Sequence, residues 1–110
     1  MAGGDFIEPN WPGRIVGDDG HDRIAACLVL DFQRAPVWCE QALSEIDDVI
    51  SGRQQAWDMG MNAYMVKVRP AKTEILPVYE ETGEPSITVK TGDLRDALDW
   101  WRKQIKQSPD

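Results

Sequence analysis

The sequence predicts a single α+β domain, in which an antiparallel sheet packs against two amphipathic helices in two layers. Three observations lead to this fold class. The 110 residues suffice for one hydrophobic core, three short segments alternate apolar and polar residues as strands do, and two longer segments repeat apolar residues with a helical period. The predicted order is ββαβββα within residues 14–107. Residues 1–13 are interpreted as an irregular N-terminal arm and residues 108–110 as a frayed tail.

An N-terminal hairpin is the first predicted element. Its turn is Gly17-Asp-Asp-Gly-His-Asp22, because glycine tolerates positive φ and short acidic side chains bond to nearby backbone. The second arm, Ile24–Phe32, is apolar on both faces, which favours a central strand covered on both sides. Cys27 lies in this run and Cys39 on the helix predicted next, so we expect both thiols to be buried and reduced.

The next predicted element is a helix from Val37 to Ser51. Pro36 suits its first turn, where the missing N–H costs no hydrogen bond, and Gly52 suits its C-terminal cap. Its core face is apolar and consists of Cys39, Ala42, Leu43, Ile46, Val49 and Ile50. The residues from Arg53 to Gly60 are predicted to be a connection anchored by Trp57.

A three-strand meander follows, over residues 62–69, 72–79 and 86–90. Pro77 cannot donate a hydrogen bond to a neighbouring strand, so it indicates a bulge or an edge position. The predicted core face of the meander carries Tyr64, Val66, Val68, Leu76, Val78, Ile87 and Val89. The last helix carries a core stripe of Leu94, Ala97, Leu98, Trp101 and Ile105, with Trp100 beside it.

Charge limits the class of partner. The chain has 19 acidic and 12 basic side chains, and its net charge of −7 disfavours nucleic acid and anionic membranes. An acidic surface attracts basic proteins, although acidity can also serve only solubility. The start of the chain lacks the basic and apolar segments of a leader peptide, and the longest apolar run is seven residues, so we expect a cytoplasmic protein.

No arrangement in the sequence predicts catalysis or a cofactor. Asp18, Asp19, His21 and Asp22 surround Gly20, but an EF-hand loop would need alternating acids before the glycine and a later bidentate glutamate. His21 is the only histidine, and its spacing from the two cysteines does not indicate a nucleophile and base in contact. We therefore expect a binding protein without enzymatic activity, metal or cofactor.

Three acidic groups and two aromatic residues are the candidates for binding a protein partner. The acidic groups lie in the first turn, on the first predicted helix and in the loop between the last two strands, and aromatic residues ringed by carboxylates are common interface anchors. The alternative is a solvated surface. The candidates are Asp18, Asp19, Asp22, Glu40, Glu45, Asp47, Asp48, Tyr79, Glu80, Glu81, Glu84 and Trp100.

The second half of the chain resembles a known kind of protein. A helix, the segment Trp57-Asp-Met-Gly-Met-Asn-Ala-Tyr64, a three-strand meander and a terminal helix with Trp100 and Trp101 follow one another in a short acidic chain. This layout resembles the small immunity proteins of bacterial polymorphic-toxin systems, including contact-dependent growth inhibition. The likeness covers about half the chain and is one of pattern, so no functional residue is carried over.

The resemblance implies a function and leaves one alternative. It implies that the chain binds and neutralises a cognate toxin domain, often a nuclease with a basic active-site cleft. In that case carboxylates would occupy the places of substrate phosphates, and we expect replacement of Glu45 and Asp48 by lysine to slow association. The alternative is a small cytosolic interaction or structural module without a toxin partner, which could be a homodimer through Cys27–Phe32.

Overall fold

A computed structural model describes residues 7–107, and these residues form three α-helices, a π-helix and one four-stranded antiparallel sheet. The α+β class and the antiparallel sheet are confirmed, but the predicted order ββαβββα is wrong, since helices come first. The elements are α1 (Asp19–Cys27), a π-helix (Leu28–Phe32), α2 (Pro36–Ser51), β1 (Trp57–Gly60), β2 (Tyr64–Val68), β3 (Lys72–Pro77), a 3-10 turn (Glu80–Thr82), β4 (Ile87–Lys90) and α3 (Thr91–Gln107). The predicted tail, 108–110, and the first six residues of the predicted arm lie outside the described residues.

The predicted N-terminal hairpin is a helix that runs on into a π-helix. Asp18 caps α1, and its side chain accepts a hydrogen bond from the His21 N–H at 3.0 Å. A run that is apolar on all sides fits a buried helix as well as a central strand, and the sequence pattern does not distinguish the two. Ile24, Cys27 and Leu28 are fully buried at helical spacing. The interpretation of residues 24–32 as a central strand is therefore wrong.

The sheet has the strand order β1-β2-β3-β4. Residues 57–60, predicted as a connection, form the edge strand β1, in which Trp57 pairs with Val68. The other three strands confirm the predicted meander. A tight turn joins β2 to β3, where the Arg69 N–H donates to the Lys72 carbonyl at 3.1 Å.

The register of β3 differs by one residue from the predicted one. Ile75 lies opposite the buried Val66, whereas Leu76 lies opposite Met65 on the other face of the sheet. Thr73 takes the core-facing position next to the turn, and its hydroxyl is satisfied by the Thr91 hydroxyl at 2.8 Å. The alternation of the apolar residues did not reveal this shift, because a threonine with a buried hydrogen bond replaces an apolar residue.

Pro77 ends β3 at a position where the sheet needs no hydrogen bond from it. The Val78 N–H donates to the Ala63 carbonyl at 2.9 Å, so the backbone of Pro77 faces the β4 side. Pairing with β4 stops at Ile75 and Ile87. Continuing the register places Pro77 opposite Pro85, two residues that both lack an N–H, and the β3–β4 ladder ends there.

Helices α2 and α3 form the other layer, and both match the predicted helices. Gly52 caps α2 in the left-handed conformation with φ of 88°, where residues other than glycine are strained. The predicted stripe of α3 is buried throughout, and both cysteines are buried and free. Trp11 is also buried, with its ring centroid 5.6 Å from that of His21.

Among residues 7–107, no helix combines the length and apolar character that a membrane span requires.

Candidate protein-binding surface

The acidic residues of α2 are engaged within the molecule. The Lys106 ammonium lies 2.7 Å from a Glu40 carboxylate oxygen, and the Arg95 guanidinium lies 3.1 Å from Asp47. Asp48 pairs with Arg53 at 3.3 Å, and the Glu45 carboxylate accepts a hydrogen bond from Gln54 at 2.7 Å. The hydrogen bond from Lys106 is the main reason that the pKa of Glu40 lies below its ordinary value. Glu40, Asp47 and Asp48 are paired with cations and therefore offer a partner less free negative charge than the sequence indicates, whereas Glu45 bonds to a neutral amide and keeps its charge.

Three aspartates lie at the start of α1, and two of them also form bonds within the molecule. Asp18 is the helix cap, and Asp22 pairs with Arg14 at 3.1 Å. Asp19 is exposed and has no ion pair among the residues that the structure describes. His21 does not join them in a metal site. Its Nδ1 accepts the Ile15 N–H at 2.9 Å, so its Nε2 carries the proton and donates to Asp93 at 3.2 Å.

The third candidate group differs from the other two. Tyr79 is 61% exposed, and the 3-10 turn that follows places Glu80 and Glu81 at the surface. Neither glutamate has an ion pair with any residue in the described range 7–107. This loop therefore presents uncompensated negative charge beside an exposed aromatic ring.

Exposed apolar residues that the sequence analysis did not select as binding candidates lie on the π-helix and directly after β3. Val29 and Leu30 are exposed on the π-helix, Leu30 to 47%, and Val78 is 40% exposed. The Asp31 carboxylate accepts the N–H groups of Ala63 at 2.7 Å and Tyr64 at 3.2 Å, while Val78 bonds to the Ala63 carbonyl. These bonds hold the π-helix and the end of β3 at the same corner. We call the surface formed by Val29, Leu30, Val78, Tyr79, Glu80, Glu81 and Glu84 the corner surface.

The π-helix that presents Val29 and Leu30 is held by a strained residue. Gln33 has φ of 54° and ψ of −144°, a conformation that is almost restricted to glycine and costs about 1–3 kcal/mol. Its carbonyl accepts the Trp101 indole N–H at 2.6 Å, and its side chain donates to the Leu30 carbonyl at 2.8 Å. Irregular helical turns of this kind occur often at functional sites. No pattern in the sequence predicted it.

Tyr64 links the corner surface to the core. The Arg23 guanidinium lies over its ring at 5.0 Å from the centroid and donates to the Ile75 carbonyl at 2.8 Å. Burial, followed by a hydrogen bond to Glu84, raises the pKa of Tyr64 to about 12. The Glu84 carboxylate thus acts on the Tyr64 hydroxyl, whereas Glu80 and Glu81 have no ion pair with the described residues.

Trp100, the remaining candidate, is half-buried and packs against the core, with its ring centroid 6.5 Å from that of Trp101.

Within residues 7–107, no three side chains of histidine, cysteine, aspartate or glutamate converge as metal ligands do. Burial raises the pKa of Cys39 to about 11 and raises that of Cys27 further, so neither thiol is activated as a nucleophile.

The chain was compared with known proteins at three levels. Neither protein-family models, nor curated proteins, nor solved structures gave a match to it.

Proposed function

We propose that the chain is an immunity protein, which binds a cognate toxin domain of the nuclease class and covers its basic active-site cleft with acidic and aromatic residues. One observation carries the proposal: Glu80 and Glu81, without ion pairs in the described range, adjoin the exposed Tyr79 and Val78. The net charge of −7 acts in the same direction. The resemblance in layout to immunity proteins of polymorphic-toxin systems suggests the kind of partner.

Two kinds of side chain on the corner surface are expected to contribute to binding in different ways. Tyrosine is enriched among the few residues that supply most of the affinity at the centre of an interface, and aliphatic side chains beside it add apolar area that loses little hydration when it is covered. Carboxylates at the rim attract a basic partner over a distance and raise the association rate. On this basis we expect Tyr79, Val78 and Leu30 to act as anchors and Glu80 and Glu81 to steer the encounter.

The first experiment identifies the partner and then locates its contact surface. The tagged chain is used to capture proteins from its native cell lysate at low and moderate salt, and the recovered protein is identified by mass spectrometry. Binding kinetics are then measured for two charge-matched variants, Glu80→Lys/Glu81→Lys and Glu45→Lys/Asp48→Lys. We expect the first variant to slow association about tenfold at low salt and to reduce its salt dependence. We expect the second to slow association less, because Asp48 is already paired with Arg53 and, of these two acids, Glu45 alone has no ion pair with the described residues.

Three outcomes would count against parts of the proposal. If both variants slow association equally, the acidic face of α2 also contacts the partner. Recovery of a basic protein without nuclease or other toxic activity would remove the toxin partner and leave an inhibitor of another kind. Recovery of the chain alone, as a dimer, would favour the alternative of a homodimeric module, with Val29, Leu30 and Val78 as the apolar contact.

A further inference from the structure

The outer edge of β4 is a second surface on which a protein segment can bind. Among residues 7–107, β4 is the last strand of the sheet and pairs with a neighbouring strand on one side. The bond from the Thr91 N–H to the Ala71 carbonyl at 3.0 Å fixes which backbone groups point towards β3. Because pairing alternates along antiparallel strands, Ile87 and Val89 bond to β3, and Ser86, Thr88 and Lys90 point their N–H and C=O groups outward.

These outward groups face open space. A groove of about 630 Å³ separates the edge of β4 from the segment that leads into α1. Among the turn, loop and cap bonds of the described residues, none involves the outward N–H and C=O of Thr88 or the N–H of Lys90, whereas the Lys90 carbonyl accepts the first bond of α3. Helix α1 packs beside the groove through Gly20, where an added Cβ would lie 3.0 Å from a methyl carbon of Val89. The edge strand therefore has unused backbone hydrogen-bonding groups and room beside them.

The lining of the groove indicates the charge of its occupant. Asp18, Asp19 and Asp93 line it with a single lysine, Lys90, and with His21, whose two ring nitrogens are engaged by the Ile15 N–H and by Asp93. Asp19 has no ion pair among the residues described. Ile15, exposed at 61%, lines the groove as well. A segment with basic and apolar side chains on the helix-facing side therefore fits this surface. A second copy of this chain, which would bring further acidic residues to the same place, does not.

We infer that the basic partner adds an extended segment to β4 as a fifth strand of the sheet. This inference rests on the proposed function, because the occupant is the same basic protein that contacts the corner surface. The backbone of Thr88 and Lys90 supplies the hydrogen bonds, which do not depend on the sequence of the segment. The aspartates of the groove select basic side chains at alternate positions. The loop from Tyr79 to Ser86 joins the corner surface to β4, so one partner can reach both.

One substitution removes an outward backbone donor of β4 without removing a bond to β3. Thr88→Pro removes an N–H that points away from β3, so the β3–β4 ladder keeps its own bonds while the edge loses a donor and gains a bulky ring. Thr88→Val is the matched control, since it keeps the N–H and the branched side chain. Asp19→Lys tests the charge of the groove without disturbing the helix cap at Asp18. Circular dichroism and thermal unfolding establish that each variant folds like the wild type.

The probe is the basic protein recovered in the capture experiment, used in purified form. We expect Thr88→Pro and Asp19→Lys each to raise its Kd at least about tenfold, as the loss of one or two hydrogen bonds or of a charge contact would, and Thr88→Val to leave the Kd within about twofold. Amide hydrogen exchange on the wild-type complex supplies an independent measurement, in which the Thr88 and Lys90 amides become protected on binding. Should Thr88→Pro be misfolded, these two amides and the Asp19→Lys variant decide the question.

The outcomes separate the two proposals. If Thr88→Pro binds as Thr88→Val does and the two amides stay unprotected, strand addition is wrong, while slowing by Glu80→Lys/Glu81→Lys would keep the proposed function. If the wild-type chain recovers no basic protein, both proposals fail. If sedimentation shows a wild-type dimer that Thr88→Pro dissociates, a second copy occupies the edge and the inferred occupant is wrong.

Discussion

At the scale of single residues, Asp31 joins the π-helix to the start of β2 by hydrogen bonds, although burial disfavours its charged form. Its carboxylate is buried and accepts two backbone N–H groups, and burial outweighs these bonds, so the pKa of Asp31 is raised above its ordinary value of 3.8. A raised folded-state pKa means that the folded chain binds the proton more tightly than the unfolded chain does. The stability contributed by protonated Asp31 is therefore present below pH 3.8 and is lost as the pH rises through the folded-state pKa.

This behaviour can be measured directly. We expect the 13C resonance of the Asp31 carboxyl group to titrate with a midpoint above 3.8 in the folded chain. We also expect the free energy of unfolding of the wild type, relative to Asp31→Asn, to fall as the pH rises through that midpoint. A midpoint at or below 3.8 would mean that the N–H groups of Ala63 and Tyr64 outweigh burial.

Trp101 supports the strained residue at the end of the π-helix. Its indole N–H donates to the Gln33 carbonyl at 2.6 Å from a buried position. We expect Trp101→Phe to lower the free energy of unfolding by about 1–3 kcal/mol, because it leaves that carbonyl without its donor. Urea denaturation measures the loss. Trp100→Phe is the comparison, since no hydrogen bond joins the Trp100 indole to the described residues, and an equal loss in both variants would assign the effect to packing alone.

At the scale of elements, ion pairs join α2 to α3. Arg95 on α3 bonds to Asp47 on α2 at 3.1 Å and also lies near Asp96 and Asp99, and the pKa of Arg95 is raised by these carboxylates, mainly by Asp47. The pKa of Glu40 on α2 is lowered, first by the hydrogen bond from Lys106 on α3. A lowered folded-state pKa contributes stability above the unfolded value, and this stability is lost as the pH falls through the folded one. The helix pair should therefore weaken in acid.

A double-mutant cycle on Arg95→Gln and Asp47→Asn tests this network. Both side chains are at least one-third exposed, so we expect a coupling energy of only about 0.2–1 kcal/mol at low salt, measured by urea denaturation. Raising the salt to about 1 M should shrink the coupling, because the screening length then falls to about 3 Å. Coupling that salt does not change would indicate a packing contact in place of an ion pair.

At the scale of the whole molecule, the net charge of −7 conceals an uneven distribution. The carboxylates of α2 face basic side chains from α3 and from the loop after α2, and they cancel much of each other's field. Glu80 and Glu81 have no such partner within residues 7–107. Under the proposed function, association with a basic partner should therefore depend on a few carboxylates, so charge reversal at the corner surface is the more sensitive test.

Local patterns in the sequence determined α2, α3 and the three strands of the meander. In these segments the periodicity of apolar residues, Pro36 at a helix start and Gly52 at a helix end each act within one element. Buried, reduced cysteines also followed from their apolar neighbours. Such features depend on contacts between residues close in the chain, which a linear pattern records.

Only the tertiary structure decided the rest. Residues 24–32 are helical with Ile24, Cys27, Leu28 and Phe32 buried in the core and Val29 and Leu30 exposed, and a run that is apolar throughout carries no period that separates helix from strand. The register of β3 depends on the Thr73–Thr91 hydrogen bond, between residues 18 positions apart. Which acids are free depends on pairs such as Glu40 with Lys106, which are 66 positions apart. A linear pattern does not contain these distances through space, so the corner surface and the free edge of β4 emerge only from the folded chain.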